Sequence, residues 1–203
     1  MYYILSILLT LVSLTAAVGT PYKDSQTGYT FVSYDVSYKI GKTMTYRIAV
    51  PASASSSAGY DAVVQIVAPN EVGWAGLAWA GTMLYSPLTV AWKSGNTAVV
   101  SGRWATAYQT PSVDSRFSFT IIPTGTTSNG THWQYTAKCT GCTSFTGRSG
   151  VTTLNPKGSN KVAYAWSPTR PTGTTASSTI NVHDGAPSSF SLDFNLGANT
   201  NWT

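Results

Sequence analysis

Ten short runs in this chain either alternate apolar with polar residues or string together β-branched and aromatic ones, and turn residues interrupt them. The runs are Tyr29 to Tyr38, Thr43 to Val50, Ala62 to Ala68, Trp74 to Ala80, Leu88 to Trp92, Ala98 to Ala105, Phe117 to Ile122, Trp133 to Lys138, Lys161 to Trp166 and Phe190 to Phe194. Beyond the first nineteen residues no stretch holds a helical apolar period. So many strands do not fit one flat sheet. Turn clusters such as Ser94-Gly95-Asn96 and Pro123-Thr124-Gly125 favour hairpins, so the expected fold is all-β, an antiparallel two-sheet β-sandwich of immunoglobulin-like form. The segment Ser167 to Thr179, rich in Pro, Thr and Ser, reads as an exposed irregular loop that delivers the chain to His183.

At 203 residues there is enough chain for one sizeable core. The first nineteen residues carry no charge; Ile4 to Leu14 has the length of a signal-peptide core, and Ala16, Ala17 and Gly19 suit a signal peptidase. Residues 1–19 are therefore read as a signal peptide and residues 20–203 as the domain. The apolar run is shorter than the ~20 residues of a spanning helix, so the expected product is secreted, extracellular and free of the membrane. Two sequons, at Asn129 and Asn201, agree with that route as glycosylation sites.

The only cysteines are Cys139 and Cys142. A zinc site needs about four ligands and no second pair is suitably spaced, while a thioredoxin-like role calls for a βαβ context; a tight structural disulfide remains. Charged residues make up 9% of the chain, 12 basic against 7 acidic with no basic run, so nucleic-acid binding has no support.

The residues that point to chemistry are few. Met83 ends the small-residue run Gly73-Trp74-Ala75-Gly76-Leu77-Ala78-Trp79-Ala80-Gly81-Thr82, which lets a large flat ligand approach the backbone beside a soft thioether. Past the initiator the other methionine is Met44, and the histidines are His132 and His183, so a Met/His haem site has four possible compositions. Met44 sits inside an alternating strand and reads as core; His183, on a loop, is freer to close over a macrocycle than strand-borne His132. Trp74, Trp79, Trp92 and Trp104 are candidates to bury haem faces or to serve as general core, and Arg103 to pair with a propionate or lie on the surface. No Cys-x-x-Cys-His is present, so haem would be held non-covalently. A haem-free carbohydrate-binding sandwich is the competing reading of so many Tyr and Trp residues. Glycoside hydrolysis is disfavoured by a single glutamate, Glu71, with scattered aspartates, and serine hydrolysis by the lack of a Gly-x-Ser-x-Gly elbow.

In order along the chain stand Gly73-Trp74 with Gly76, Met83, Leu88-Thr89-Val90-Ala91-Trp92 before Gly95-Asn96, Arg103-Trp104-Ala105-Thr106 with Tyr108, Thr131-His132-Trp133, Cys139-Thr140-Gly141-Cys142 and His183-Asp184. With these signatures the sequence resembles the cytochrome domain of fungal cellobiose dehydrogenase, an iron-reductase-type haem b domain of dopamine-monooxygenase-like architecture. The resemblance implies haem b between Met83 and His183 as axial iron ligands, with Tyr108 near a propionate and His132 not a ligand. It implies electron transfer rather than catalysis in its own right, with ferric reductase activity as the enzymatic reading it leaves open. The implied donor is an extracellular sugar or quinone-cofactor dehydrogenase, and the implied acceptor a lytic polysaccharide monooxygenase or ferric iron; the protein is expected to be a monomer. After the ligand histidine the family tends to carry an aromatic residue against the haem, where this chain reads Gly185-Ala186-Pro187.

Overall fold

The computed structural model describes residues 19–202; residues 1–18 of the expected signal peptide and Thr203 of the second sequon lie outside it. Strands β1 (Thr20–Lys23), β2 (Thr30–Lys39), β3 (Lys42–Pro51) and β4 (Ala62–Pro69) form an antiparallel meander. The chain then crosses to a second sheet with β5 (Trp74–Ala78), β6 (Leu88–Ser94), β7 (Thr97–Trp104) and β8 (Ser112–Val113). It returns through β9 (Ser118–Ile121), β10 (Thr127–Ser128) and β11 (His132–Thr140), of which β11 pairs with β4. A separate hairpin, β12 (Ser144–Gly147) and β13 (Gly150–Thr153), precedes β14 (Ser159–Ser167) and β15 (Asp184–Asp193), which extend the second sheet. Finally β16 (Ala198–Asn199) pairs in parallel with β3. The result is an antiparallel sandwich of an eight-stranded and a six-stranded sheet.

All ten runs read from the sequence are strands. The further ones, β1, β8, β10, β12, β13 and β16, are short and largely polar, and so carry little apolar period of their own. One boundary moved substantially: the strand expected from Phe190 begins at Asp184 instead. Gly185 and Pro187 argue against a central strand, but β15 lies at the edge of its sheet, where a missing N–H is tolerated.

Between the sheets lies the main core, with Met44, Tyr46, Ile48 and Ile66 from the first sheet against Ala75, Leu77, Trp79 and Ala91 from the second. Tyr46, fully buried, reaches across it and donates from its hydroxyl to the carbonyl of Gly76 at 3.1 Å. Such a buried tether costs about 1–3 kcal/mol to leave half made. Cys139 and Cys142 are joined as a disulfide.

Candidate functional site

Strand alternation sends Trp74, Gly76 and Ala78 to the face of the second sheet away from the main core. There Gly76 is the register partner of Val90 and Ala165, and Ala78 that of Leu88 and Ala163. Two adjacent strands, β5 and β14, thus place small residues side by side as a floor, which β6 borders with Val90 and Leu88. A Cβ added at Gly76 would lie 3.3 Å from the Trp74 ring and 3.6 Å from two carbonyl oxygens. Above the floor is a cavity of about 640 Å³, within the range of cofactor pockets. Among the residues that line it His183 is the one histidine, and no carboxylate, lysine or arginine is present.

Met83, His183 and Tyr108 all line this one cavity. Met83 sits in the β5–β6 connection, which is held by several backbone constraints. Gly81 has φ +73° and Tyr85 φ +56°, the latter the one non-glycine residue with positive φ among those described. The Trp79 N–H donates to Pro87 O, the Ala80 N–H to Ser86 Oγ and the Tyr85 N–H to Ala105 O. An uncommon left-handed tyrosine is maintained where surrounding bonds over-determine it, as is frequent beside ligand sites.

His183 comes at the end of residues 168–183, immediately before β15. Its Nδ1 lies 3.2 Å from Gly185 O. A carbonyl only accepts, so Nδ1 is the donor in this contact; in a neutral ring that leaves the lone pair on Nε2, the arrangement usual in metal-binding histidines. Tyr108 is 83% exposed and stands with Gln109, Thr110 and Pro111 on the cavity rim.

The other sequence candidates divide. Met44 is in the main core and His132 is exposed on β11, and neither borders the cavity. Trp74 lines it, and its Nε1 is buried without a hydrogen-bond partner. Trp92 packs beside Trp74 with Val90 and Ile180, beneath the segment leading to His183. Trp79 points instead into the inter-sheet core and donates to Thr89 Oγ1, while Trp104 stacks on Phe117 under the Arg116 guanidinium.

Arg103 is neither a surface residue nor a free cation at the cavity mouth: it is 3% exposed and donates to Ser101 Oγ and to the carbonyls of Pro111, Ala176 and Ser178. Burial lowers its pKa from the ordinary guanidinium value, because the charged form is held away from water. The sequence reading missed Ala163 and Ala165, although their Ala-x-Ala spacing, matching Gly76-x-Ala78, was a usable signal. Tyr164, between them on β14, turns its ring to the opposite face, near Tyr46 and Phe190, and its hydroxyl donates to Ser37 O at 2.6 Å, so it supplies no aromatic wall to the cavity.

Among the described residues no three His, Cys, Asp or Glu side chains converge to hold a bare metal ion. The donors present are one thioether and one imidazole over a flat apolar floor, with an unpartnered indole N–H at hand. That set fits a metal that brings its own equatorial ligands, as iron does in a porphyrin.

A sandwich with a flat-bottomed cavity on the outside of one sheet, bordered by sulfur and imidazole, defines a cytochrome-type β-domain. The chain belongs to the cytochrome domain of cellobiose dehydrogenase family, whose model matches residues 22–203. It is 33% identical over 142 residues to the pyrroloquinoline quinone-dependent pyranose dehydrogenase of Coprinopsis cinerea; the match takes in 69% of this chain and 19% of that protein, so the chain spans about a fifth of this relative's length. In three dimensions it is similar to the cytochrome b domain of the Coprinopsis cinerea pyranose dehydrogenase, with a TM-score of 0.77, 29% identity and coverage of 90% and 91% of the two chains. The cytochrome domain of Myriococcum thermophilum cellobiose dehydrogenase shares the fold, with a TM-score of 0.78 at 21% identity over 91% and 93% of the chains. Family membership as a cytochrome domain sets the carbohydrate-binding reading aside. Tyr22 and Tyr108 are the only large exposed aromatics among the described residues, and Tyr108 belongs to the cavity rim.

Proposed function

We propose that this chain is a secreted haem b electron carrier in which Met83 and His183 are the axial iron ligands and Tyr108 stands at a propionate. The observation that supports this most is that residues one hundred positions apart, the two donors chosen from four candidates, border one cavity. Haem b as the type is supported by the likeness to the Coprinopsis cinerea domain, which is a cytochrome b.

When bound, haem supplies a one-electron iron couple, and a methionine ligand raises its potential by favouring the ferrous state. The protein's part is to bind and orient. Gly185 O accepts from His183 Nδ1, which would leave Nε2 as the nitrogen to hold the metal. The glycine and alanine floor with Leu88 and Val90 excludes water from one face, while Tyr108, Gln109 and Thr110 give the rim hydroxyl and amide donors for carboxylates. Were Met83 and His183 both to hold the iron, the protein would leave it no free position for oxygen or peroxide, and the group would pass single electrons without bond chemistry.

The donor is read as an extracellular sugar or quinone-cofactor dehydrogenase, in keeping with the relative's name, and the acceptor as a lytic polysaccharide monooxygenase or ferric iron. Residues 1–19 are read as the export signal, with Asn129 and Asn201, both exposed, as glycan acceptors.

The test is the visible spectrum of the secreted protein. A low-spin product with a sharp ferrous α band unmoved by carbon monoxide is expected, abolished by Met83→Ala and by His183→Ala and retained in His132→Ala and Met44→Leu. Bleaching by His132→Ala but not by His183→Ala would overturn the ligand assignment.

A further inference from the structure

We propose that Arg103 is a positioning residue for His183: it ties the segment bearing the histidine and the opposing Tyr108 rim to the sheet through one buried guanidinium. The inference rests on the ligand reading above and extends it to how the histidine is held.

Residues 168–183 contain no strand or helix, so no ladder of hydrogen bonds fixes where His183 stands. The segment is held instead at a few points on the outer face of the second sheet. Trp92 Nε1 donates to Gly173 O at 3.1 Å and Ser101 Oγ to Ala176 O at 2.6 Å. Arg103 makes the largest share of these links: Nη2 donates to Ala176 O at 3.2 Å and to Ser178 O. From the same guanidinium, Nη1 donates to Pro111 O at 3.1 Å, three residues after Tyr108, and Nε to Ser101 Oγ at 3.0 Å.

Its place in the fold explains the reach. Arg103 on β7 is the register partner of Leu88, a cavity residue, on one side and of Val113 on the other, between the floor and the rim strand β8. Two residues beyond Ser178, Ile180 is buried against Trp74 and Val90; His183 follows three residues later. The chain between tether and ligand is therefore short and itself pinned.

The cation has no carboxylate partner among the described residues, where ion pairs join Lys42 to Glu71 and Arg116 to Asp114. A buried guanidinium without such a partner must satisfy its donors on carbonyls, and its rigid fork reaches several at once. Lysine offers a point charge on a flexible stem and cannot span the two segments in the same way. The arrangement costs desolvation, so removing the fork releases both segments together.

The test uses the haem-loaded protein and Arg103→Gln. The variant is expected to show a high-spin ferric fraction and a ferrous form that binds carbon monoxide, both absent from the parent. Added imidazole should return the low-spin spectrum, and haem release should be about tenfold faster. A spectrum, carbon monoxide response and haem release equal to those of the parent would overturn the proposal.

Ser101→Ala, which removes one tether and leaves the guanidinium in place, should shift the same way by less and serves if Arg103→Gln does not fold; an effect on neither spectrum nor release would then overturn the proposal. In the haem-free protein, hydrogen exchange should quicken over residues 173–183 in either variant; a uniform rise across both sheets would show a merely structural role and count against the inference. Loss of the ligand reading is separately visible, since it appears as His183→Ala leaving the parent's spectrum intact.

Discussion

The Nδ1 of His183 donates to the carbonyl of Gly185, two residues on, across 3.2 Å. A bond this local makes the tautomer of the imidazole a property of the backbone at Gly185, which has φ +64°. An L-residue there is strained by about 1–2 kcal/mol. Gly185→Ala is expected to keep the fold but move the carbonyl, giving a partly high-spin ferric haem at neutral pH. Electron paramagnetic resonance of the ferric protein measures the fraction; an unaltered low-spin signal would show that the bond does not govern ligation.

The floor of the cavity depends on residues that lack bulk. Gly76 is flanked by the Trp74 ring and two strand carbonyls, so a branched side chain has only the cavity to occupy. Gly76→Leu should lower haem affinity roughly tenfold or more while the haem-free protein stays folded. Titration of the haem-free variant with haem, beside a circular dichroism spectrum, separates a filled cavity from a misfolded sheet.

Across the core, Tyr46 supports that same floor strand through its bond to Gly76 O. Tyr46→Phe leaves a buried carbonyl unpaired and should reduce stability by about 1–2 kcal/mol with the haem spectrum little changed. Denaturant unfolding gives the difference, and a loss of haem ligation at unchanged stability would contradict the tether.

Removal of the disulfide should act on stability alone. Replacing Cys139 and Cys142 together by alanine opens a very short loop, for which chain entropy gives about 2 kcal/mol. The pair lies outside the cavity lining. Chemical denaturation should show the loss, and the parent's ligation should persist.

Acid should weaken one surface link. Glu71 is held below the ordinary carboxylate pKa, first by the hydrogen bond from Lys42, then by that from Tyr38. A carboxyl whose folded pKa is depressed stabilises the fold above its unfolded value and loses that contribution as pH falls through the folded one. Glu71→Gln should therefore melt below the parent at neutral pH, with the two melting temperatures converging as acid protonates Glu71. A gap that does not change with pH would rule out this origin.

Local pattern and tertiary geometry contributed differently to what could be read in advance. The ten main strands were legible because period-two burial writes itself into sequence, and Met83 and His183 stood out because so few soft or imidazole donors exist in the chain. Pro187 hid the first half of β15, since a proline argues against a strand until the strand is known to be an edge. Arg103 was legible as a cation but not as a buried anchor, because its acceptors are backbone carbonyls, which carry no residue signature.

By itself, then, the order of residues determined the β-character, the turns, the small pool of thioether and imidazole side chains, and the small residues at Gly76, Ala78, Ala163 and Ala165. Only the tertiary structure decided that those small residues form one floor, that Met83 and His183 border the same cavity, and that Arg103 faces the loop rather than water. The reason is physical: strand periodicity is a one-dimensional signal, whereas register between strands far apart in the chain, and the seating of an irregular loop, depend on which long-range contacts together offset the entropy of ordering the chain.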